Sequence, residues 1–331
     1  RTAGRDKLAP WSTPQAFSSA FLNARSVLPT FEEFNAMVYA AVSSGAKGLI
    51  PFMYAPTLAT TDLRLGYDYI YESLFMLEPY LLESFPGLPV KVEAEEDAVQ
   101  VLLQKHKGNF ALLAVNLLPK PISAKLELPK EVAGRTFYGL RSEESVKSQN
   151  AQLNWEFAPY EVKIFTTDSK ISSTLKSDAR FRLELEAARK ELETPGNQIF
   201  GKGRDIVWSA SSIWPNEVTL RTLYTLCDGE KSALGYRAGR PGENEWIMMG
   251  FPREAVRFQK VRLYGEGIAK AKCSYLKRGE WLVAGEVEWD ASAPSVEIEL
   301  PEVVSTVKVR LDLIPHQKNE RMELYEVEML Q

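Results

Sequence analysis

The spacing of apolar residues changes period along this chain, and each change predicts a change of architecture. In the first 86 residues apolar runs alternate with helical stripes. "LAPWSTPQAF" (8–17) reads as a strand, and "GLIPFMY" (48–54) as a second one, apolar throughout as a parallel strand buried on both faces would be. Between them, Phe34, Met37, Val38, Ala41 and Val42 keep the i, i+3, i+4 spacing of a single helix face. Thr30 followed by Glu33 predicts a capping box at the start of that helix, and Gly45 its end. A further helix over about 67–84 turns Ile70, Leu74, Leu77 and Leu81 inward, and "FPGLP" stops it.

From Pro89 the period falls to two. Two strands flank a Lys-Gly-Asn turn at 107–109, a hairpin signal. "ISAKLELP", "RTFYGL", "QLNWEF" and "PYEVKIFTT" continue the pattern to about Thr167. Short strands without a helix over such a stretch predict a small β-sandwich. A charged helix over 176–193 follows, with Ala179, Leu183 and Ala187 as its apolar stripe, Leu185 beside it, and Pro195-Gly196 as its stop. Beyond it, strand patterns from "DIVWSAS" to "MELYEVEML" predict a second, larger sandwich. The fold class is therefore multidomain α/β plus all-β: an α/β segment over 1–86, a small β-sandwich over 87–168, a linker helix over 169–196 and a β-sandwich over 197–331.

Composition narrows the function. Of 331 residues 45% are hydrophobic and 25% charged, and the net charge of −4 lacks the basic footprint of a nucleic-acid partner. No run of eighteen apolar residues exists to span a membrane as a helix. The chain starts at Arg1 with no Met and no charged-then-apolar leader, from which an incomplete chain is expected. Cys227 and Cys273 with His106 and His316 are the whole Cys/His complement, too few for a Cys/His metal cluster. Both histidines fall in polar turns, away from chemistry. For the cysteines, a disulfide and two buried free thiols both remain open.

Three stretches carry a resemblance. The strand ending near "PQAF", with "PTFEEFNAMVYAAVSSGAKGLIPFMY", resembles the last part of the catalytic (β/α)8 barrel of bacterial glycoside hydrolases, so that 1–86 would be a partial TIM barrel, its last two βα units. "LLAVN" and "NWEFAPYEVKIF" resemble the small β-sandwich that follows such barrels. "VWSAS", "TLCDGEKSALGY", "EWIMMGFP" and "LYEVEML" resemble discoidin-like (galactose-binding-like) carbohydrate-binding modules. A complete barrel takes about 250 residues and eight strands, so the remaining strands are expected upstream on the same polypeptide.

Glycoside hydrolysis uses two carboxyl groups. Gln15 stands near the end of the expected seventh strand, with no Asp or Glu between Leu8 and Phe31. Its neutral amide can hydrogen-bond a sugar hydroxyl but cannot act as nucleophile or base. No catalytic residue is expected in this chain; the carboxylates would lie upstream. Trp11, Phe17 and Tyr54 are Gln15's companions in substrate binding, with core packing as the competing role for Trp11 and Phe17. In the final module Trp208, Trp214, Tyr236 and Arg237 are the candidate sugar contacts, while Trp246 and Trp281 fall in strand patterns and are expected in the core. The resemblance also implies a structural Ca²⁺ near Asp228 and Glu326, with no other cofactor. The function so implied is the C-terminal portion of an extracytoplasmic glycoside hydrolase acting on poly- or oligosaccharide. The alternatives are a non-catalytic carbohydrate-binding or surface-attachment protein, and a protein–protein adhesion module.

Overall fold

A computed structural model describes residues 11–14, 29–50, 61–84, 86–172, 175–214, 223–231, 235–318 and 321–331. The chain divides into two compact units, with the boundary at Ala187/Ala188.

The first unit begins with β1 (Trp11–Ser12), α1 (Phe31–Ser43), β2 (Gly48–Leu49) and α2 (Thr61–Leu81). β1 and β2 pair in parallel, Trp11 opposite Gly48 and Ser12 opposite Leu49. The expected capping box forms: the Glu33 amide donates to Thr30 Oγ1 at 3.2 Å and the Thr30 amide to Glu33 Oε2 at 2.9 Å. Gly45 leaves the helix at φ 95°. α2 starts six residues earlier than the periodicity suggests and buries Ile70, Leu74 and Leu77. It holds Pro79, which removes one amide from the helical ladder. The Lys47 ammonium caps its far end, donating to the Leu81 and Glu83 carbonyls. At Gly66 the two helices touch so closely that a Cβ would lie 2.3 Å from the Phe31 ring.

Eight further strands follow: β3 (Lys91–Glu93), β4 (Val99–His106), β5 (Asn109–Asn116), β6 (Ile122–Glu127), β7 (Thr136–Gly139), β8 (Ser145–Lys147), β9 (Gln152–Phe157) and β10 (Val162–Thr166). They form a five-stranded sheet, β4-β5-β10-β7-β8, facing a three-stranded one, β3-β6-β9. The predicted hairpin is β4–β5, with His106 opposite Asn109 and positive φ at Lys107 and Gly108, as a type I′ turn requires. β5 has no solvent face. Phe110, Leu112 and Ala114 join the core between the sheets, while Ala111, Leu113 and Val115 join a second core with α1 and α2. Unit 1 is therefore layered as helices, five-stranded sheet, three-stranded sheet.

The short α3 (Ser169–Ser172) and α4 (Asp178–Leu192) come next. α4 buries Phe181 and Leu185 and leaves Leu183 exposed, so its apolar stripe is not the one expected. The partners decide this: the Phe181 ring lies 4.8 Å from Phe31 and 4.2 Å from Tyr69. Under these rings sits Arg141, buried, with its guanidinium 3.9 Å from the Tyr69 ring centroid. Its Nε donates to Ser73 Oγ at 2.6 Å, and its terminal nitrogens to the carbonyls of Lys176 and Tyr69 and to Glu72.

The second unit is an antiparallel β-sandwich. Its strands are β11 (Val207–Ala210), β12 (Tyr236–Arg237), β13 (Glu245–Gly250), β14 (Val256–Glu266), β15 (Ile268–Lys277), β16 (Glu280–Glu288), β17 (Ser295–Thr306), β18 (Lys308–Pro315) and β19 (Glu323–Leu330). The sheet β11-β13-β18-β15-β16 faces β12-β19-β14-β17 over one core. Cys227 and Cys273 both lie in that core as free thiols, which removes the disulfide alternative. Burial pushes the Cys273 thiol up to about 12 and raises that of Cys227, so both stay protonated and inert at neutral pH. Trp281 is a correction. It is 43% exposed, because β16 forms the edge of its sheet and presents its side chains to solvent.

Candidate functional site

The loop leaving β11 is tied down by side chains that the sequence places in a tight Ser-Ser pair. The Ser211 amide donates to the Trp246 carbonyl at 2.9 Å, and the Trp246 amide returns a bond to Ser211 Oγ at 2.8 Å. Ser211 and Ser212 hydroxyls also reach the Glu245 carboxylate. Glu245 is buried at the start of β13, and Arg240 covers it with Nε and a terminal nitrogen at 3.3 and 3.2 Å. The Gly239 amide donates to Ser212 Oγ at 2.9 Å, and the Trp214 amide to the Arg237 carbonyl at 3.1 Å. A charged but satisfied base thus holds the 211–214 segment against β12 and the turn after it.

On that base Trp214 is half-buried. Two guanidiniums flank its ring, Arg321 at 3.1 Å and Arg237 at 5.8 Å from the centroid. Arg237 is paired with Glu323 at 3.0 Å. Of the four sugar contacts expected from the sequence, Trp214 and Arg237 are brought together here. Trp208 and Tyr236 are not available. Trp208 is 6% exposed within the core and its indole N–H donates to the Gly203 carbonyl at 2.9 Å. Tyr236 is 1% exposed; burial, then the Glu245 carboxylate, hold its phenol above the ordinary range. Both sit on strands whose inward positions the sheet pairing fixes, so neither offers a ring to a ligand. Arg321 is the residue that sequence reasoning missed. Its only signal is a basic residue in the polar stretch just before the last strand.

A second constellation lies at the turn before β12. Gly229 stands at φ 90°, and a Cβ there would meet the Leu192 carbonyl at 2.6 Å, so the Asp-Gly turn admits no side chain at its second position. The Glu230 amide donates to Asp228 Oδ1 at 3.0 Å, and the Val327 amide to the Leu226 carbonyl at 2.7 Å, which joins the turn to β19. On β19 two carboxylates two residues apart meet opposite conditions. Glu328 is buried and satisfied: Arg262 at 3.0 Å, Lys231 at 3.1 Å and the Thr194 hydroxyl attend it. Glu326 is fully buried, and neither carboxylate oxygen makes a hydrogen bond of ordinary geometry; the Gly229 amide and the Lys231 charge nearby offset its burial only in part. Burial, then the neighbouring Asp228, raise it well above the usual carboxylate range. Glu326 and Asp228 thus place two carboxyl groups near one another at the turn, and burying Glu326 as an ion would need a positive partner. The oxygen-only donors suit Ca²⁺. Among the described residues no group of three or more His, Cys, Asp or Glu gathers, so further ligands to such an ion would be carbonyl oxygens.

Of the remaining expected contacts, Gln15, Phe17 and Tyr54 lie outside the described residues. For Trp11 the backbone alone is described, in β1. His106 ends β4 and its Nδ1 lies 2.9 Å from Glu83. Among the described residues no helix is long and apolar enough to cross a membrane.

No protein-family model and no curated protein matches the chain. Among solved structures, the family 32 carbohydrate-binding module of Clostridium perfringens NanJ, in complex with galactose, is similar at 10% identity and a TM-score of 0.33, over 39% of this chain and 96% of the module. Chitosan-binding module 1 of a chitosanase/glucanase from Paenibacillus sp. IK-5 is similar at 15% identity and a TM-score of 0.32, over 41% of this chain and 98% of that one. A Ruminococcus gnavus GH29 fucosidase in complex with fucose is similar at 10% identity and a TM-score of 0.35, over 48% of this chain and 32% of the fucosidase.

Proposed function

We propose that the second unit is a discoidin-like carbohydrate-binding module whose ligand docks at Trp214, and that the chain is the C-terminal portion of a glycoside-hydrolase-like protein. The observation that carries the binding role is the half-buried Trp214 in a braced loop, flanked by Arg237 and Arg321. An aromatic ring takes the apolar face of a sugar, and guanidinium donors take its oxygens. Trp214→Ala is expected to reduce binding of whichever saccharide the chain prefers by at least tenfold while leaving the melting temperature within about 3 °C of the parent, as suits a residue outside the core. A glycan array followed by titration calorimetry reads both chains. An unchanged affinity in the variant rules this site out, and a blank array with a bound protein partner favours the adhesion reading.

The parallel pairing of β1 with β2 across α1 supports the finer reading of 1–86 as the last two βα units of a (β/α)8 barrel, since consecutive barrel strands are parallel and helix-linked. In that frame Gln15, with Trp11, Phe17 and Tyr54, belongs to substrate binding, and the catalytic carboxylates to barrel strands supplied upstream. The two sheets over 91–166 then form the small β-sandwich domain and α4 the linker to the module, in an extracytoplasmic protein whose partner is carbohydrate. The 331-residue chain by itself is expected to release no product from a panel of aryl and oligosaccharide glycosides, because Gln15 cannot ionise. Turnover above the buffer blank in that panel would refute the assignment.

Ca²⁺ is the ion proposed for the second constellation. Glu326 and Asp228 would hold it with backbone carbonyls of the same turn. When bound, it supplies a fixed positive charge that stabilises the turn. The Val327 amide, bonded to the Leu226 carbonyl, joins that turn to the last strand.

A further inference from the structure

At the loop end around Trp214 one arginine stands outside the ion pairs of its neighbours. Among the described residues three arginines stand there. Arg237 pairs with Glu323 at 3.0 Å. Arg240 pairs with Glu243 at 2.9 Å and Glu245 at 3.2 Å. Among the described residues Arg321 has neither an ion-pair nor a hydrogen-bond partner: its guanidinium lies against the Trp214 ring, and its Nε is buried with no acceptor. Ring contact holds the guanidinium plane, but it satisfies none of the N–H groups along the edge of that plane.

Leaving such donors buried without acceptors is unfavourable, and folded proteins keep few of them. The carboxylates nearby bond to the other two arginines: Glu323 to Arg237, and Glu243 and Glu245 to Arg240. A planar, permanently charged fork with unengaged N–H groups matches an oxyanion, with two parallel N–H···O bonds. Arg321 stands two residues before the first residue of β19, next to Met322, whose carbonyl accepts from the Ala238 amide at 2.9 Å and ties the backbone there to the residue after β12. The guanidinium is thus set in place before any ligand arrives.

Resting on the reading that Trp214 marks a saccharide site, we propose that this site selects an acidic saccharide, one whose uronate carboxylate or sulfate ester seats on Arg321 while its ring lies at Trp214. The neutral sugars that a tryptophan platform alone would accept become the weaker ligands. Arg237, held by Glu323, contributes to hydroxyl recognition rather than to charge.

Titration calorimetry of the intact chain tests this with two matched pairs: alginate or polygalacturonate trisaccharides against the methyl-esterified polygalacturonate, and a sulfated galactan oligosaccharide against its desulfated form. The expected result is that one acidic ligand binds at least tenfold tighter than its neutral partner, which also tells carboxylate from sulfate. Arg321→Gln is expected to erase that preference, and Arg321→Lys to retain part of it, since a single charge remains without the fork. Circular dichroism melting of each variant checks folding. If neutral and acidic partners bind alike, or if Arg321→Gln keeps the preference while folded, acid selection fails and the saccharide site at Trp214 stands. If no saccharide of either kind binds, here or on the array, both readings fall together.

Discussion

Arg141→Ala is expected to destabilise the first unit by about 3–5 kcal/mol, the range for breaking a buried charged network by removing one member. The guanidinium joins two segments to its own: α2, through the Tyr69 carbonyl, Glu72, Ser73 and the Tyr69 ring against which it stacks, and the stretch before α4, through the Lys176 carbonyl. Truncation leaves the Ser73 hydroxyl short of a donor and the Lys176 carbonyl without its partner, and opens a cavity beneath Phe31, Tyr69 and Phe181. Glu72 is more than half exposed, so its share is small and screened. The loss comes from the carbonyl and hydroxyl bonds and from packing. Arg141→Lys keeps the charge but cannot span these acceptors and should fall in between; Arg141→Met fills the space and separates packing from hydrogen bonding. Calorimetry should show the first unit's transition lowered by roughly 10 °C. A shift of under 2 °C for the alanine variant would show that this arginine is dispensable.

The second large effect concerns Glu326. Without a cation its folded carboxyl is raised above the unfolded value by burial first and Asp228 second. The folded state therefore holds a proton that the unfolded state has released, and stability falls as pH rises from the unfolded carboxylate range, near 4.5, towards the raised folded value. In chelator, the melting temperature of the second unit should accordingly rise on going from pH 8 to pH 5.5. Saturating Ca²⁺ should reverse the order, because binding favours the ionised form; at a thousandfold excess over Kd the gain is about 4 kcal/mol. Glu326→Gln should flatten the chelated profile and abolish the calcium shift. A melting temperature indifferent to both chelator and Ca²⁺ at pH 8 would remove the ion from the site.

Local signals were the legible part of this sequence. The capping box at Thr30 and Glu33, the Lys107-Gly108 hairpin turn and the strand alternation beyond Val207 each depend on neighbours a few residues away, and each forms as read. Burial was less legible, because it is decided by distant partners. Trp208 and Tyr236 read as candidate sugar contacts yet are drawn inward by β13 and β19, to which their strands pair. Trp281 reads as core yet lies on an edge. On α4 the sequence offers Ala179, Leu183 and Ala187 as the stripe with Leu185 beside it, whereas the rings of Phe31 and Tyr69 draw Phe181 inward. Arg321 could not be read at all: nothing within several residues of it indicates that Trp214, a hundred positions away, will hold its guanidinium.

One signal was present and understated. "FALLAV" in β5 is an unbroken apolar run within a stretch of otherwise alternating strands, and an antiparallel strand with a wet face has no use for one. Its inner residues divide between two cores, one shared with α1 and α2 and one with the three-stranded sheet. The sandwich therefore lacks a surface of its own on that side. A module bounded by the change of period at Pro89 would carry a bare apolar wall if moved to another protein, so the helices and the sandwich are bound to be inherited, cut and transplanted as one piece.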